Sequence, residues 1–392
     1  MMETTGTDES PAVSIKGIFL AFLRLGVTAF GGPAMVAYIK QTIVKKKGWL
    51  GEESFKRGLA LCQTIPGATA MQTCAYVGLE LRGVLGAAAA FLGFGLPAFL
   101  LMLGLSVLYV ELRSLPAALS VFAGLRVLIV AIMANATLGF GRSNLKRWRD
   151  AIVLASAAAA FWFGVNPILV VLASALLGIL LSIGDKVEAG KAPPPKSLAP
   201  ARAVLVVAGF AALALLIMFL ARPKLAGLSL LMMKIDLFAF GGGFASVPLM
   251  LHEIVDVRHW LDQKVFMDGI ALGQITPGPI VITSTFVGYL TQGALGALVA
   301  TASIFFPSFM LVVIIAPFFA RLNAKPLFRK AVTGILSSFV GLLISTTLHM
   351  GMAIPWTLPS AILAVAAFAA LLLRVDILWV VLGGGLLSFL FR

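Results

Sequence analysis

Two copies of one short motif lie far apart in the chain: AFGGP at residues 29–33 and AFGGG at residues 239–243. An offset of 210 residues aligns them, and with a slip of one residue it also aligns QTIPG (63–67) with QITPG (274–278). The offset pairs further residues in the same order, namely Val77-Gly78 with Val287-Gly288, Gly83 with Gly293, Gly86-Ala87 with Gly296-Ala297, Pro97 with Pro307 and Gly124 with Gly334. Shared hydrophobicity alone does not place Gly, Pro, Gln and Phe in one order, so we interpret the chain as a tandem duplication.

The composition is that of a membrane protein. Of the 392 residues, 60% are apolar and 12% are charged, against about 25% charged in soluble domains. Apolar stretches of about 20 residues, the length of a membrane-spanning helix, recur from residue 17 to residue 390. The sequence therefore predicts an all-α polytopic membrane protein and excludes a water-soluble enzyme.

Each half is predicted to contain two broken or re-entrant helical segments followed by four unbroken helices. The broken segments cover 14–45 and 51–81 in the first half, and 226–255 and 262–291 in the second. The unbroken helices are predicted at 84–110, 116–141, 150–165 and 167–184, and again at 294–320, 327–350, 357–373 and 376–391.

The predicted organisation has five parts. These are a disordered cytoplasmic tail (1–13), a first transporter repeat (14–184), a proline-rich linker (185–202), a connecting transmembrane helix (203–221) and a second transporter repeat (222–392). One extra helix between two halves of even crossing number inverts the second half, so we expect inverted-topology repeats.

The basic residues predict the orientation. The net charge is +14, and in so apolar a chain the lysines and arginines between spans set topology rather than bind nucleic acid. Basic clusters at 142–149 and 186–196 place their side, and the N-terminus, in the cytoplasm and the C-terminus outside. The connection between the broken segments is basic in the first half (40–57) and acidic in the second (253–264), which favours re-entrant hairpins over full crossings.

The helix breaks are the candidate binding site. A break inside the membrane exposes backbone N–H groups and the positive end of a helix dipole, both of which suit an anion. The alternative is that the glycines only permit close helix packing. Four breaks at repeated positions with polar flanks favour a site near the membrane midplane formed by Gly31, Gly32, Pro33, Gln63, Pro66, Gly67, Gly241, Gly242, Gly243, Gln274, Thr276, Pro277 and Gly278.

Charged residues within the apolar segments are further candidates. Arg24 and Lys234 each lie six residues before the Phe-Gly-Gly motif of their half, and this paired position predicts countercharge for the anion. The alternative for either residue alone is a side chain that snorkels to the membrane surface. Asp236 either neutralises Lys234 or carries a coupling proton, and Arg126 is either a second substrate contact or the partner of a buried acid.

Signals for other chemistry are weak. His252, His259 and His349 are not spaced as a metal site. The chain has no GxxxxGK[ST] phosphate loop. We therefore expect no metal, no cofactor and no enzymatic activity.

With FGG and Pro-Gly motifs in both halves, the chain resembles the long, two-domain form of the chromate ion transporter (CHR) family over residues 14–391. The resemblance implies efflux of chromate across the bacterial inner membrane, chromate resistance, and sulfate as a structurally similar ion. The halves are not equivalent, because IPGA (65–68) stands opposite TPGP (276–279) and FGGP (30–33) opposite FGGG (240–243).

Three alternatives stay open at the level of sequence. One is a carrier for sulfate or another oxyanion, and a second is a passive anion channel. The third is a membrane-embedded transferase, which would normally show a clustered acidic metal site. The lipid bilayer is a certain partner, whereas the sequence defines neither the coupling ion nor the oligomeric state.

Overall fold

The computed structural model describes residues 13–30, 34–183 and 201–390. In these residues the chain forms helices joined by short loops and no β-strand. The helices of the first half are α1 (Ile15–Thr28), α2 (Ala34–Lys40, continued by a π-helical turn, Gln41–Lys46), α3 (Glu52–Thr64), α4 (Thr69–Leu112), α5 (Pro116–Asn144), α6 (Trp148–Trp162) and α7 (Pro167–Leu181). The predicted tail apart from Val13, and the predicted linker up to residue 200, lie outside the described residues.

A separate helix, α8 (Ala201–Ala221), precedes the second half. The helices that follow are α9 (Pro223–Phe238), α10 (Gly243–Met250, continued by a π-helical turn, Leu251–Val257), α11 (Gln263–Ile275), α12 (Thr283–Ile315, after a 3₁₀ turn, Ile280–Ile282), α13 (Phe319–Asn323, after a 3₁₀ turn, Ala316–Phe318), α14 (Pro326–Met352), α15 (Leu358–Leu372) and α16 (Ile377–Leu390). The order of elements in the two halves thus corresponds, including the π-helical turns, except that among the described residues α13 and the two 3₁₀ turns occur only in the second half.

Local sequence explains the helix boundaries. The Pro-Gly loops end α3 and α11, and their glycines adopt positive φ angles (116° at Gly67 and 111° at Gly278) that other residues rarely tolerate. Several helices begin with proline, whose missing N–H costs nothing at that position, as at Pro116 of α5 and Pro326 of α14.

Both long helices bend sharply at a glycine. In α4 the bend is at Arg82-Gly83, and in α12 it is at Gln292-Gly293. A side chain on Gly78 would collide with the backbone of Gly86, so the chain folds back on itself there. The predicted boundary between the segment 51–81 and the helix 84–110 is therefore a bend within one helical run.

The two halves are interleaved. α4 packs against α12 and α5 against α14, which joins equivalent helices of the two halves. α6 and α7 of the first half pack on α14, whereas α15 and α16 of the second half pack on α5. Backbone contact at Gly178 and Gly334 brings α7 especially close to α14. Each half therefore completes the core of the other.

In the part of the chain that the structure describes, five helices are long and apolar enough to cross a membrane: Thr69–Leu112, Pro116–Asn144, Val204–Ala221, Ile280–Asn323 and Pro326–Met352. Shorter apolar helices accompany them at Pro167–Leu181, Leu358–Leu372 and Ile377–Phe389. None of the stretch Val204–Ala221 is buried in the protein, as expected of a helix surrounded by lipid. The protein is a multi-pass membrane protein.

Candidate functional site

The Pro-Gly loop of each half is bonded to the Phe-Gly-Gly segment of the other half. The Gly67 N–H donates a hydrogen bond of 2.9 Å to the Ala239 carbonyl, and the Gly278 N–H donates one of 3.1 Å to the Ala29 carbonyl. These two bonds therefore join the halves reciprocally, each linking a Pro-Gly loop to the residue just before the other half's Phe-Gly-Gly motif. The same bonds occupy the N–H groups of Gly67 and Gly278, which sequence analysis assigns to an anion.

A cavity of about 790 Å³ opens beside these loops, between α3 and the helices of the second half. Its lining takes residues from both halves. Those at or beside the breaks are Gln63, Thr64, Thr69, Gly241, Gly242, Gly243, Gly273, Gln274, Thr276, Gly278, Pro279 and Ile280, and the outer residues include Met35, Lys40, Phe55, Leu59, Phe140, Ser143, Asn144 and Leu336.

The two glutamines give the cavity its hydrogen-bond donors. Gln63 and Gln274 occupy equivalent positions and both line the cavity. The side-chain nitrogen of Gln274 is buried and has no hydrogen-bond partner among the described residues. A buried amide donor without a partner costs free energy, about 1–3 kcal/mol in proteins, and a bound acceptor would satisfy it.

The helix ends at the cavity add positive potential. α4 begins at Thr69 and α10 at Gly243, and both residues line the cavity. The first N–H groups of a helix lack partners within the helix and carry the positive end of its dipole. Two such ends, with the neutral amides, make the centre of the cavity suitable for an oxyanion.

Lys40 is the one charged side chain among the described lining residues. Its Nζ lies 2.8 Å from Glu52 Oε1, and both side chains are partly exposed. The hydrogen bond and the charge of Lys40 lower the pKa of the Glu52 carboxyl. Lys40 is followed by Lys45, Lys46 and Lys47 in the connection to α3, so this part of the lining lies close in sequence to a basic cluster.

The structure brings seven of the predicted site residues to the cavity: Gln63, Gly241, Gly242, Gly243, Gln274, Thr276 and Gly278. Pro66, Gly67 and Pro277 belong to the same loops but do not line it. Gly31, Gly32 and Pro33 lie outside the described residues.

The paired cations Arg24 and Lys234 do not line the cavity. Arg24 is exposed on α1. Lys234 Nζ lies 2.6 Å from Glu253 Oε1, and Arg258 pairs with the other oxygen of the same carboxylate. Lys234 thus has an acidic partner in the π-helical turn that continues α10. The role of Arg24 and Lys234 as countercharge for the anion stays a prediction.

Asp236 is fully buried and links the halves rather than pairing with Lys234. Its Oδ2 accepts a 2.8 Å hydrogen bond from the Ser308 N–H, and the Ser308 Oγ accepts one of 3.0 Å from the Ala68 N–H in the first Pro-Gly loop. Asp236 Oδ1 has no partner in the described part of the chain. The equivalents of Asp236 and Ser308 are Gly26 and Ala98, so the second loop lacks this network.

Arg126 pairs with a buried acid, Asp268 of α11, through two hydrogen bonds. The sequence left two roles open for Arg126, a substrate contact or the partner of a buried acid. The observed geometry is that of the second role, an ion pair with a buried acid.

Sequence reasoning missed Lys40 as a lining residue, as well as Asp268 and Ser308. Lys40 is one of several lysines in a basic connection, and nothing in the sequence distinguishes it. Asp268 lies in the apolar run 265–273. An acid within an apolar run is a signal that was available, since such residues are expected to have a partner.

Helices of spanning length, repeated helix breaks and a cavity beside them that carries polar side chains are the features of a multi-pass membrane protein of the transporter class. The chain belongs to the chromate transporter family, whose profile matches residues 16–179 and 226–389, one match in each half. It is therefore a membrane transporter and not an enzyme.

Relatives cover almost the whole chain. An uncharacterized transporter of Methanocaldococcus jannaschii is 43% identical over 379 residues, which is 96% of this chain and 94% of the relative. The chromate transport protein of Cupriavidus metallidurans is 30% identical over 93% of this chain and 89% of its own. That of Pseudomonas aeruginosa is 31% identical over 99% and 95%. No solved structure matches the chain significantly.

Proposed function

We propose that the protein is a secondary transporter that exports chromate, and that it binds the anion in the cavity beside the Pro-Gly loops. The observation that carries the site is the amide nitrogen of Gln274, a residue that lines the cavity; this nitrogen is buried and has no partner in the described residues. Family membership and the chromate transport proteins among the relatives support the substrate.

The chemistry of the lining suits a tetrahedral dianion that must also leave. Gln63 and Gln274, one from each half, offer neutral hydrogen-bond donors, and the N-termini of α4 and α10 add partial positive charge. A site without a full cation at its centre binds a dianion without trapping it. Sulfate has the same charge and shape, so a sulfate carrier uses the same residues in the same roles.

The direction of export rests on charge. The cavity extends to Ser143 and Asn144 at the end of α5, next to the basic loop 145–149. By the positive-inside rule that loop is cytoplasmic, so the cavity takes its anion from the cytoplasm. The basic connection around Lys40 raises the local concentration of an anion at this entrance.

The same reasoning supports inverted repeats with re-entrant segments. α3 has 13 residues and is about 20 Å long at 1.5 Å per residue, which is short of the hydrocarbon thickness of about 30 Å. The side chain of Arg82, at the far end of the first arm of α4, bonds the Val13 carbonyl just before α1. The two breaks of one half thus return the chain to the side where it entered.

The topology can be tested with reporter fusions. Fusions after residue 190 should report the cytoplasm, and fusions after residues 225 and 392 the exterior of a bacterial inner membrane. A cytoplasmic C-terminus together with a cytoplasmic N-terminus would refute the inverted arrangement.

The function is tested by anion flux. Inverted vesicles containing the protein should accumulate chromate when an ion gradient is imposed, with excess sulfate competing. Gln274→Leu should weaken chromate uptake by about tenfold, because a hydrogen bond to a charged group contributes about 1.5–3 kcal/mol. Gln263→Leu is the matched control, since Gln263 lies on the same helix and bonds the His349 carbonyl away from the cavity.

Three results would overturn the proposal. Equal uptake by both glutamine variants would remove the site from the cavity. Sulfate flux without chromate flux would make the protein a sulfate carrier, and flux that ignores the imposed gradient would make it a channel.

A further inference from the structure

Three side chains from three helices form a closed polar cluster. Arg126 of α5 donates from Nε to Asp268 Oδ1 at 2.7 Å and from Nη2 to Asp268 Oδ2 at 2.8 Å. Tyr109 of α4 donates its hydroxyl to Asp268 Oδ2 at 2.9 Å. The Asp268 side chain is 1% exposed. We call these three residues the Arg126 cluster.

The Arg126 cluster lies between two cavities. A second cavity, of about 660 Å³, is lined by Lys264 and Met267 of α11 and by Arg126 and Val127 of α5. The cavity that we propose binds the anion, here called the anion cavity, is lined by Gly273 and Gln274, at the other end of α11. Asp268 therefore holds α11 to α5 at the level that separates the two spaces.

The equivalent position in the first half is open. Sequence alignment of the halves puts Arg57, Leu336 and Phe319 where Asp268, Arg126 and Tyr109 stand. Leu336 faces the anion cavity together with Leu59 of α3. Thus α11 packs against α5 and α16, whereas the cavity occupies the space between α3 and α14.

We propose that the Arg126 cluster is the gate that closes the exit side of the transporter, and that its opening exposes the second cavity as the exit path. This inference rests on the proposed transport function. A pair of repeats in one chain can exchange conformations, so the opposite state has α3 packed on α14 and α11 released from α5.

The chemistry of the cluster suits a reversible gate. A buried ion pair with two parallel hydrogen bonds is geometrically specific, and it leaves no charge unpaired while closed. When α11 moves away, Arg126 keeps its charge and faces the second cavity, where Lys264 also lies. These two cations attract the leaving anion towards the exit.

The gate can be tested by thiol labelling, which does not depend on the substrate. The two native cysteines, Cys62 and Cys74, are buried. Val127→Cys reports on the second cavity, because Val127 lines it but is 3% exposed in the closed state. Asn144→Cys reports on the anion cavity. A small water-soluble maleimide should label Asn144→Cys quickly and Val127→Cys slowly.

Opening the gate should reverse this ratio. The double variant Arg126→Gln, Asp268→Asn removes both charges and leaves two neutral amide side chains, of which Asn has the size of Asp and Gln is shorter than Arg. We expect it to raise the labelling rate at Val127→Cys by about fivefold or more and to lower the rate at Asn144→Cys. Tyr109→Phe, which removes one hydroxyl, should act in the same direction with a smaller effect. It tests the gate even if the double variant fails to fold. Lys56→Gln, in an exposed ion pair with Glu52 and Glu53, is the control.

Unchanged labelling in the double variant and in Tyr109→Phe would overturn the gate. An equal change in Lys56→Gln would also overturn it. The failure of the proposed function looks different: the wild-type protein would carry no chromate, whatever the labelling shows.

Discussion

The two Pro-Gly loops share a backbone conformation but differ in the side chains that pack against them. Both loops hold a glycine at positive φ and bond the opposite half through its N–H. Behind the first loop, Ser308 and Asp236 form a buried polar network. Behind the second, Ala98 supplies an apolar contact. Duplication has preserved the scaffold of the breaks, while polar chemistry has been placed in one copy.

The largest effect is expected from removing the shared feature. Gly278→Ala places a Cβ 2.8 Å from the Ala98 Cβ at a φ of 111°, and backbone strain of this kind costs about 1–3 kcal/mol. Gly67→Ala collides with Ser308 Oγ in the same way. We expect chromate transport to fall by about tenfold or more in both variants. Transport at matched protein levels is the measurement.

Gly293→Ala is the matched control for these glycines. Gly293 also has a positive φ, of 65°, but a Cβ there meets open space, so we expect a milder loss. If Gly278→Ala and Gly293→Ala behaved alike, backbone strain alone would explain both and the loop contact would carry no special role.

The next effect should separate the two loops. Asp236→Ala leaves the Ser308 N–H without its acceptor in a buried site, which costs about 1–3 kcal/mol. We expect a lower melting temperature in detergent and weaker transport. Ala98→Gly, at the position equivalent to Ser308, removes one methyl group from the apolar loop and should cost about 1 kcal/mol or less. An equal loss in both variants would contradict the view that the first loop depends on its polar network.

The smallest effect is expected from the cations. Lys40→Gln removes the charged side chain of the cavity lining, but its partial exposure limits the loss to about 1 kcal/mol. We expect the half-saturating chromate concentration to rise by about fivefold or less. Lys234→Gln should leave that concentration unchanged, because Lys234 is paired with Glu253 and lies away from the cavity.

The opposite outcome would restore the prediction made from the sequence. A loss of affinity of at least tenfold in Arg24→Gln and Lys234→Gln, as expected when a charge contact worth about 2–5 kcal/mol in a desolvated site is removed, would show that these paired cations meet the anion in another conformation.

The sequence was sufficient to predict an all-helical membrane protein with two related halves, and it singled out several residues that line the cavity. The repeat offset placed the breaks, and the paired Gln63 and Gln274 both line the cavity. These features are local, because Gly and Pro interrupt helices wherever they occur. The partners of charged residues are long-range. Asp268 lies 142 residues from Arg126, and no local pattern indicates which buried acid an arginine meets.

The last two helices of each half pack on a helix of the other half: α6 and α7 on α14, and α15 and α16 on α5. This crossed packing has a consequence for biosynthesis. When the ribosome has completed α7, the helix on which α6 and α7 pack has not yet been made, because α14 begins at Pro326. The first half then waits in the membrane with apolar and small-residue faces that only later helices cover, and contacts between residues so distant in sequence form slowly. We therefore expect the chain to complete its packing only after α14 has been made, rather than half by half, and a defect in α14 to disturb both halves.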